Sequence, residues 1–201
     1  MIKSKAQLLG YVREAMMIVV MIVGILAGRS TLADHYHAPS GSMEYTLLPG
    51  DRVFVDKRAY GFRVPFTTID LLAGDPVRRG DVVIFDSAKT GVRLIKRIVA
   101  IGGDRVLIDN GRLAINGEWL ASVDSDEIEI FDGKSVALNL RSCGGPSIET
   151  VIANGQVLAI GDHRGKSADS RYFGSVSEDD IYGRAIAIYY RSGDGFRWSG
   201  L

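Results

Sequence analysis

Four dipeptides limit what this chain can fold into: Asn110-Gly111, Asn116-Gly117, Asp132-Gly133 and Asn154-Gly155. Each joins a residue that tolerates positive φ to a glycine, the combination that closes tight hairpin turns. Around them run short apolar segments rich in β-branched residues, several alternating with period two: residues 51–57 (DRVFVDK), 81–87 (DVVIFDS), 92–101 (VRLIKRIVAI), 105–109 (RVLID), 112–115 (RLAI), 127–131 (EIEIF), 156–160 (QVLAI) and 185–190 (AIAIYY). The pattern predicts a mainly β protein with an antiparallel sheet as its core. The more polar stretch 109–154 reads as hairpins added to that core, a small inserted β subdomain. No long repeat points to a propeller or solenoid.

At 201 residues and 46% hydrophobic the chain can bury a proper core of one domain. Lysine plus arginine equals aspartate plus glutamate at 24 each, so charge points neither to nucleic acid nor to a cationic partner. The single cysteine, Cys143, excludes an intrachain disulfide and a cysteine-rich zinc site.

The N-terminus is more informative. Ala15 to Gly28 carries no charge, and Lys3, Lys5 and Arg13 precede it. Starting at Leu8, the segment reaches the ~30 Å of a bilayer core if Arg13 and Glu14 turn to the interface or pair. Two readings stand. One is a retained transmembrane helix within residues 1–30, with residues 31–201 as an extracytoplasmic domain on the outer or periplasmic side of the inner membrane. The other is a cleavable leader, for which Thr31-Leu32-Ala33 offers small residues at suitable positions. The retained anchor is preferred because the sequence beyond it argues for work at a membrane surface. The segment 59–74, with Phe62, Val64, Phe66, Leu71 and Leu72, reads either as a loop dipping into the interface or as one packed on the core.

The stretch PSGSMEYTLLPGD (39–51) sets Ser40 and Ser42 either side of Gly41. A serine needs a base to become a nucleophile. The chain has three histidines, His35, His37 and His163, none in a triad context, and His35-x-His37 lacks a third metal ligand at persuasive spacing. The other candidate base is a lysine kept neutral by burial. Lys96 has that setting: on a strand it shares a face with Leu94 and Ile98, while Ile95 and Arg97 point the other way. A third polar stretch, GDHRGKSADSRYFGSV (161–176), gathers Asp162, Arg164, Ser167, Asp169, Ser170 and Arg171 beside two glycines.

PSGSMEYTL, then RGDVVIF with RLIKRIVAIGGD, then GDHRGKSADSRYFG resemble, in this order, the boxes of bacterial type I signal peptidases, membrane-anchored Ser-Lys serine endopeptidases that remove signal peptides from exported proteins. The resemblance runs from about Pro39 to Arg184 and includes the preceding anchor. It implies Ser42 as nucleophile, Lys96 as general base, and Ser40 as the hydroxyl that joins the Ser42 N–H in binding the oxyanion. It implies further that Ser167 orients the lysine, that Asp169 and Arg171 form a supporting ion pair, and that Met43 and Ile95 line the substrate cleft. Its implied partners are signal-peptide-bearing preproteins and the lipid bilayer, with no nucleic acid, cofactor or metal.

The departures are specific. Met43-Glu44-Tyr45-Thr46-Leu47 stands where the family usually has Met-x-Pro-Thr-Leu, His163, Gly165 and Lys166 are unusual in the third box, and Leu94 stands where many members have tyrosine. They bear on substrate preference, and a dedicated peptidase with few substrates would carry them. Two rivals stand beside this reading. A self-cleaving Ser-Lys repressor should carry a DNA-binding module where this chain has its apolar segment, and a tethered non-catalytic β module has no reason to place Lys96 on an apolar strand face.

Overall fold

The computed structural model describes residues 5–31, 33–63 and 70–201. A single helix, α1 (Lys5–Thr31), runs through the segment expected to anchor the chain. Its side chains from Met16 to Ile25 stand open, Val20 at 65% exposure. Among the described residues no helix is long and apolar enough to cross a membrane. The segment expected as the anchor within 1–30 is helical from Lys5 onward.

Beyond α1 the chain is antiparallel β, as its turn chemistry requires. The main sheet has eight strands: β1 (Ala33–His37), β2 (Arg52–Asp56), β3 (Val82–Asp86), β4 (Arg93–Ile101), β5 (Gln156–Ile160), β6 (Val176–Ser177), β7 (Ile181–Arg191) and β8 (Gly195–Gly200). Their order is β1-β2-β7-β3-β4-β5-β6, with β8 also paired to β7. Register shifts along β7 let this one long strand serve β2, β3 and β8 in turn. Two smaller sheets lie between β4 and β5 in the sequence. One comprises Arg105–Asp109, Arg112–Ile115, Glu118–Trp119 and Ile148–Val151, the other Ala121–Ser122, Ser125–Phe131 and Lys134–Ala137.

Three of the four dipeptides close hairpins with positive φ at both residues: Asn110 and Gly111 at 49° and 80°, Asn116 and Gly117 at 53° and 90°, Asp132 and Gly133 at 46° and 84°. At the fourth only Gly155 is positive, at 73°. The reason is topological, since Ile148–Val151 pairs with Arg105–Asp109 whereas β5 pairs with β4, so Asn154-Gly155 links two sheets and closes no hairpin.

The pairing of β3 with β4 sets Ile84 opposite Ile95 and Val83 opposite Lys96. Every side chain from Ile95 to Ala100 is buried. Ile95 packs with Met43, Leu47, Val82 and Ile84 on one face, while Leu94 and Ile98 pack with Val83, Phe85 and Val157 on the other. A third apolar cluster, with Val106, Ile108, Leu113, Phe131 and Leu138, takes in Val99, Ala100, Leu158 and Ile160, so the smaller sheets share a core with β4 and β5. Gly61–Arg63 and Asp70–Ala73 pair as a two-stranded ribbon. In the segment read either as an interfacial loop or as one packed on the core, Val64 and Phe66 lie outside the described residues.

Ile108 is fully buried in the shared cluster. Ile108→Ala is expected to lower unfolding stability by about 2–5 kcal/mol in a denaturant titration, whereas Val123→Ala, at a fully exposed site, should change it by less than about 0.5 kcal/mol.

Candidate active site

The two groups expected to react are brought together. Lys96 Nζ stands 2.6 Å from Ser42 Oγ, and both residues are buried, at 3% and 8% exposure. Burial dominates the lysine's titration and holds its pKa down at about 8 from an ordinary 10.5. The Asp169 and Asp162 carboxylates push it back up, and Arg171 lowers it. A lysine with a pKa near 8 offers a neutral amine at mildly alkaline pH without large reprotonation cost, which a general base requires.

Ser42 sits in a single 3-10 turn, Gly41–Met43, entered through extended Ser40. Ser40 does not cap the turn with its side chain. Its hydroxyl donates instead to Ser42 Oγ at 3.4 Å, a long contact that leaves it free to swing to a carbonyl oxygen arriving at the same place. The turn is pinned from below by Met43 and Leu47, which are fully buried, with Ile95 at 5%. Met43 and Ile95, the two expected cleft residues, therefore pack in one cluster beneath Ser42.

The third box approaches from the other side. His163 N donates to Ser42 O at 3.1 Å, fixing the Ser42 backbone. Gly161 lies in a narrow gap, where a Cβ would stand 2.3 Å from both Ser167 Oγ and Ser42 O. Only glycine admits that approach. Ser167 is buried beside this gap, but its hydroxyl makes no hydrogen bond among the described residues. The expected lysine-orienting bond is therefore absent in this conformation, and the hydroxyl faces the crowded Gly161 backbone instead. Asp169 and Arg171 are paired and wholly buried, through Nε to Oδ1 at 2.8 Å and Nη2 to Oδ2 at 2.8 Å. Asp169 also accepts from Gly161 N at 3.1 Å, so the pair sets the backbone at the gap.

Sequence reasoning left three features of this site unread. Arg97, the residue after the lysine, forms a bidentate pair with Asp162 at 2.9 and 2.8 Å, and Thr46 donates to the same carboxylate at 2.5 Å. Arg164 and Glu129 pair at 2.5 Å with almost no exposure, tying the third box to the smaller sheets. Burial pushes the Glu129 carboxyl up, and Arg164 pulls it back down. Glu44 Oε2 accepts from Asn139 Nδ2 at 3.3 Å and lies 3.2 Å from His163 Nδ1, out of hydrogen-bond alignment. The strand period exposes none of these, because each partner comes from a distant segment. His35 and His37 lie on β1, and among the described residues no three metal-ligating side chains cluster.

The family model described as "Signal peptidase, peptidase S26" matches residues 10–190. A signal peptidase I of Haemophilus influenzae is 28% identical, the match covering 80% of this chain and 64% of that protein. One of Pseudomonas aeruginosa is 33% identical over 82% of this chain and 67% of its own length. One of Aquifex aeolicus is 28% identical over 85% and 80%. The overlap with a crystal structure of a signal peptidase I from Enterococcus faecalis is limited, with a TM-score of 0.38 at 24% identity over 55% of this chain and 97% of that one. With most of its length matched by the family model and the Pseudomonas relative at 33% identity, the chain belongs to the signal peptidase family, peptidase S26, a family of serine endopeptidases.

Proposed function

We propose that this chain is a membrane-bound endopeptidase that removes N-terminal signal peptides from exported preproteins, with Ser42 as nucleophile and neutral Lys96 as general base. The observation that carries the reading is the buried 2.6 Å contact between Lys96 Nζ and Ser42 Oγ. The relatives described above, each a signal peptidase I, support the substrate class.

The steps follow from that contact. Lys96 Nζ takes the Ser42 proton as Oγ adds to the scissile carbonyl, whose π electrons move onto oxygen. The Ser42 N–H and the Ser40 hydroxyl hold that oxyanion. The intermediate collapses with loss of the C–N bond, and the lysine ammonium returns its proton to the leaving amine. Water, giving its proton to Lys96, then attacks the Ser42 ester, and collapse restores the Ser42 hydroxyl and frees the signal peptide carboxylate. Ser167 orients the lysine once its unpaired hydroxyl rotates toward the amine, and Asp169 with Arg171 supports the loop. Met43 and Ile95 form the floor of a cleft for small side chains. The substrate lies extended along a strand edge. Helix α1, with its exposed apolar side chains, is the membrane anchor in this reading, single-pass with the N-terminus cytoplasmic and the catalytic domain outside. Residues 109–154 are an insert in that domain.

Detergent-solubilised protein should cleave a preprotein with an Ala-x-Ala site, and Ser42→Ala and Lys96→Met should each lose cleavage by at least about a thousandfold. The rate should rise as pH increases, with an apparent pKa near the value of about 8 set by burial, because the base works only after losing its proton. Retained cleavage in Lys96→Met, or a limb near an unperturbed lysine at ~10.4, would overturn the assignment.

The same burial has a stability consequence. The unfolded chain holds the lysine proton up to 10.5 and the folded chain only to about 8, so unfolding takes up a proton between these values and stability rises with pH across that window. Below it, ionised Lys96 costs roughly 3 kcal/mol, and Lys96→Met should melt higher than wild type near neutral pH. A calorimetric scan in detergent showing no gain at neutral pH would contradict this.

A further inference from the structure

We infer that Glu44 is a specificity-determining carboxylate that selects a cationic side chain flanking the scissile bond. The inference rests on the peptidase reading above and deepens it. Glu44 closes the turn that carries the nucleophile, its N–H donating to Gly41 O at 3.2 Å. Its side chain folds back over that turn, since a Cβ on Gly41 would stand 2.4 Å from Glu44 Oε1. The carboxylate therefore lies against the backbone between Ser40 and Ser42, beside the two donors offered to the oxyanion.

This position is built. Oε2 is held by Asn139 Nδ2 and faced by His163 Nδ1. The His163 ring is 9% exposed and Glu44 is 30% exposed, so the ring forms a wall and the carboxylate stays open to an incoming chain. The cations near the site are committed elsewhere: Arg97 to Asp162, Arg164 to Glu129, Arg171 to Asp169. Among the described residues Glu44 forms no ion pair with a lysine or arginine, the exposed Arg141 and Lys166 included.

A carboxylate so placed opposes the negative charge that grows on the scissile oxygen. A substrate cation beside it removes that penalty and gains most in the transition state, where the charge is largest. An extended substrate turns alternate side chains to opposite faces, so one flanking residue faces Glu44 while its neighbours do not. The chemistry recognised is a lysine or arginine next to an otherwise small-residue cleavage site.

The test is kcat/KM for the detergent-solubilised full chain on Ala-x-Ala substrates carrying Lys, Ala or Glu at each flanking position on both sides of the bond. The expected result is a Lys over Ala preference of about tenfold at one position, with Glu below Ala, weakened by added salt. In Glu44→Gln the Lys to Ala ratio at that position should fall to about one, whatever happens to the absolute rates. A flat profile in wild type, a preference indifferent to salt, or one that survives in Glu44→Gln overturns the inference while leaving the peptidase intact. If Glu44→Gln does not fold, the wild-type profile and its salt dependence still decide. Failure of wild type to cleave any member of the set removes the peptidase reading and this inference with it.

Discussion

Burying an amine against a hydroxyl is the constraint on which the rest of this structure depends. Lys96 is 3% exposed, and such a group either sheds its proton or finds a counter-charge. Two carboxylates, Asp162 and Asp169, are close enough to stabilise the charged form. Each is already engaged by an arginine, Arg97 and Arg171, in a bidentate buried pair. Desolvation therefore outweighs both attractions, and the amine is held near 8. Removing either arginine would leave a buried carboxylate without its cation beside the lysine and favour the ammonium, so the ion pairs act on the charge of Lys96 as well as on folding.

The same constraint demands register. A slip of one residue between β3 and β4 would carry Lys96 to the opposite face and set Arg97 or Ile95 in its place. The apolar clusters on the two faces of β4 oppose that slip, because Ile95 fits the group beneath Met43 and Ile98 the group around Phe85. Ser42 is placed just as firmly, by Met43 and Leu47 below and by the His163 N–H on its carbonyl.

What could be read in advance follows from how local each signal is. Hairpin dipeptides and period-two runs are local, and strands such as Arg105–Asp109, Arg112–Ile115 and Gln156–Ile160 fall where those runs lie. The short strands Glu118–Trp119 and Ala121–Ser122 carry too few residues for a period to show. The face of Lys96 was legible because its apolar neighbours sit two residues either way. Its distance to Ser42 was not, since that contact spans 54 residues and depends on sheet order. Ser167 illustrates the limit of resemblance: the chain places the residue at the site, but its hydroxyl points into the gap at Gly161.

The two smaller sheets gain a purpose from the third box. Its arginines reach across into them: Arg164 bonds Glu129 and the Gly111 carbonyl, while Arg171 bonds the Gly144 carbonyl at 2.6 Å. Gly111 and Gly144 have positive φ and allow close approach, for a Cβ on either would meet the other's turn within 3 Å. A loop carrying Gly161, Asp162, Ser167 and Asp169 would be loose if held by β5 alone, because it has only one short helix, Ser170–Phe173, of its own. Three anchor points at Gly111, Glu129 and Gly144 remove that freedom at the place where a few tenths of an ångström decide whether an amine meets a hydroxyl. The residues between β4 and β5 therefore buttress the loop through Glu129 and the carbonyls of Gly111 and Gly144.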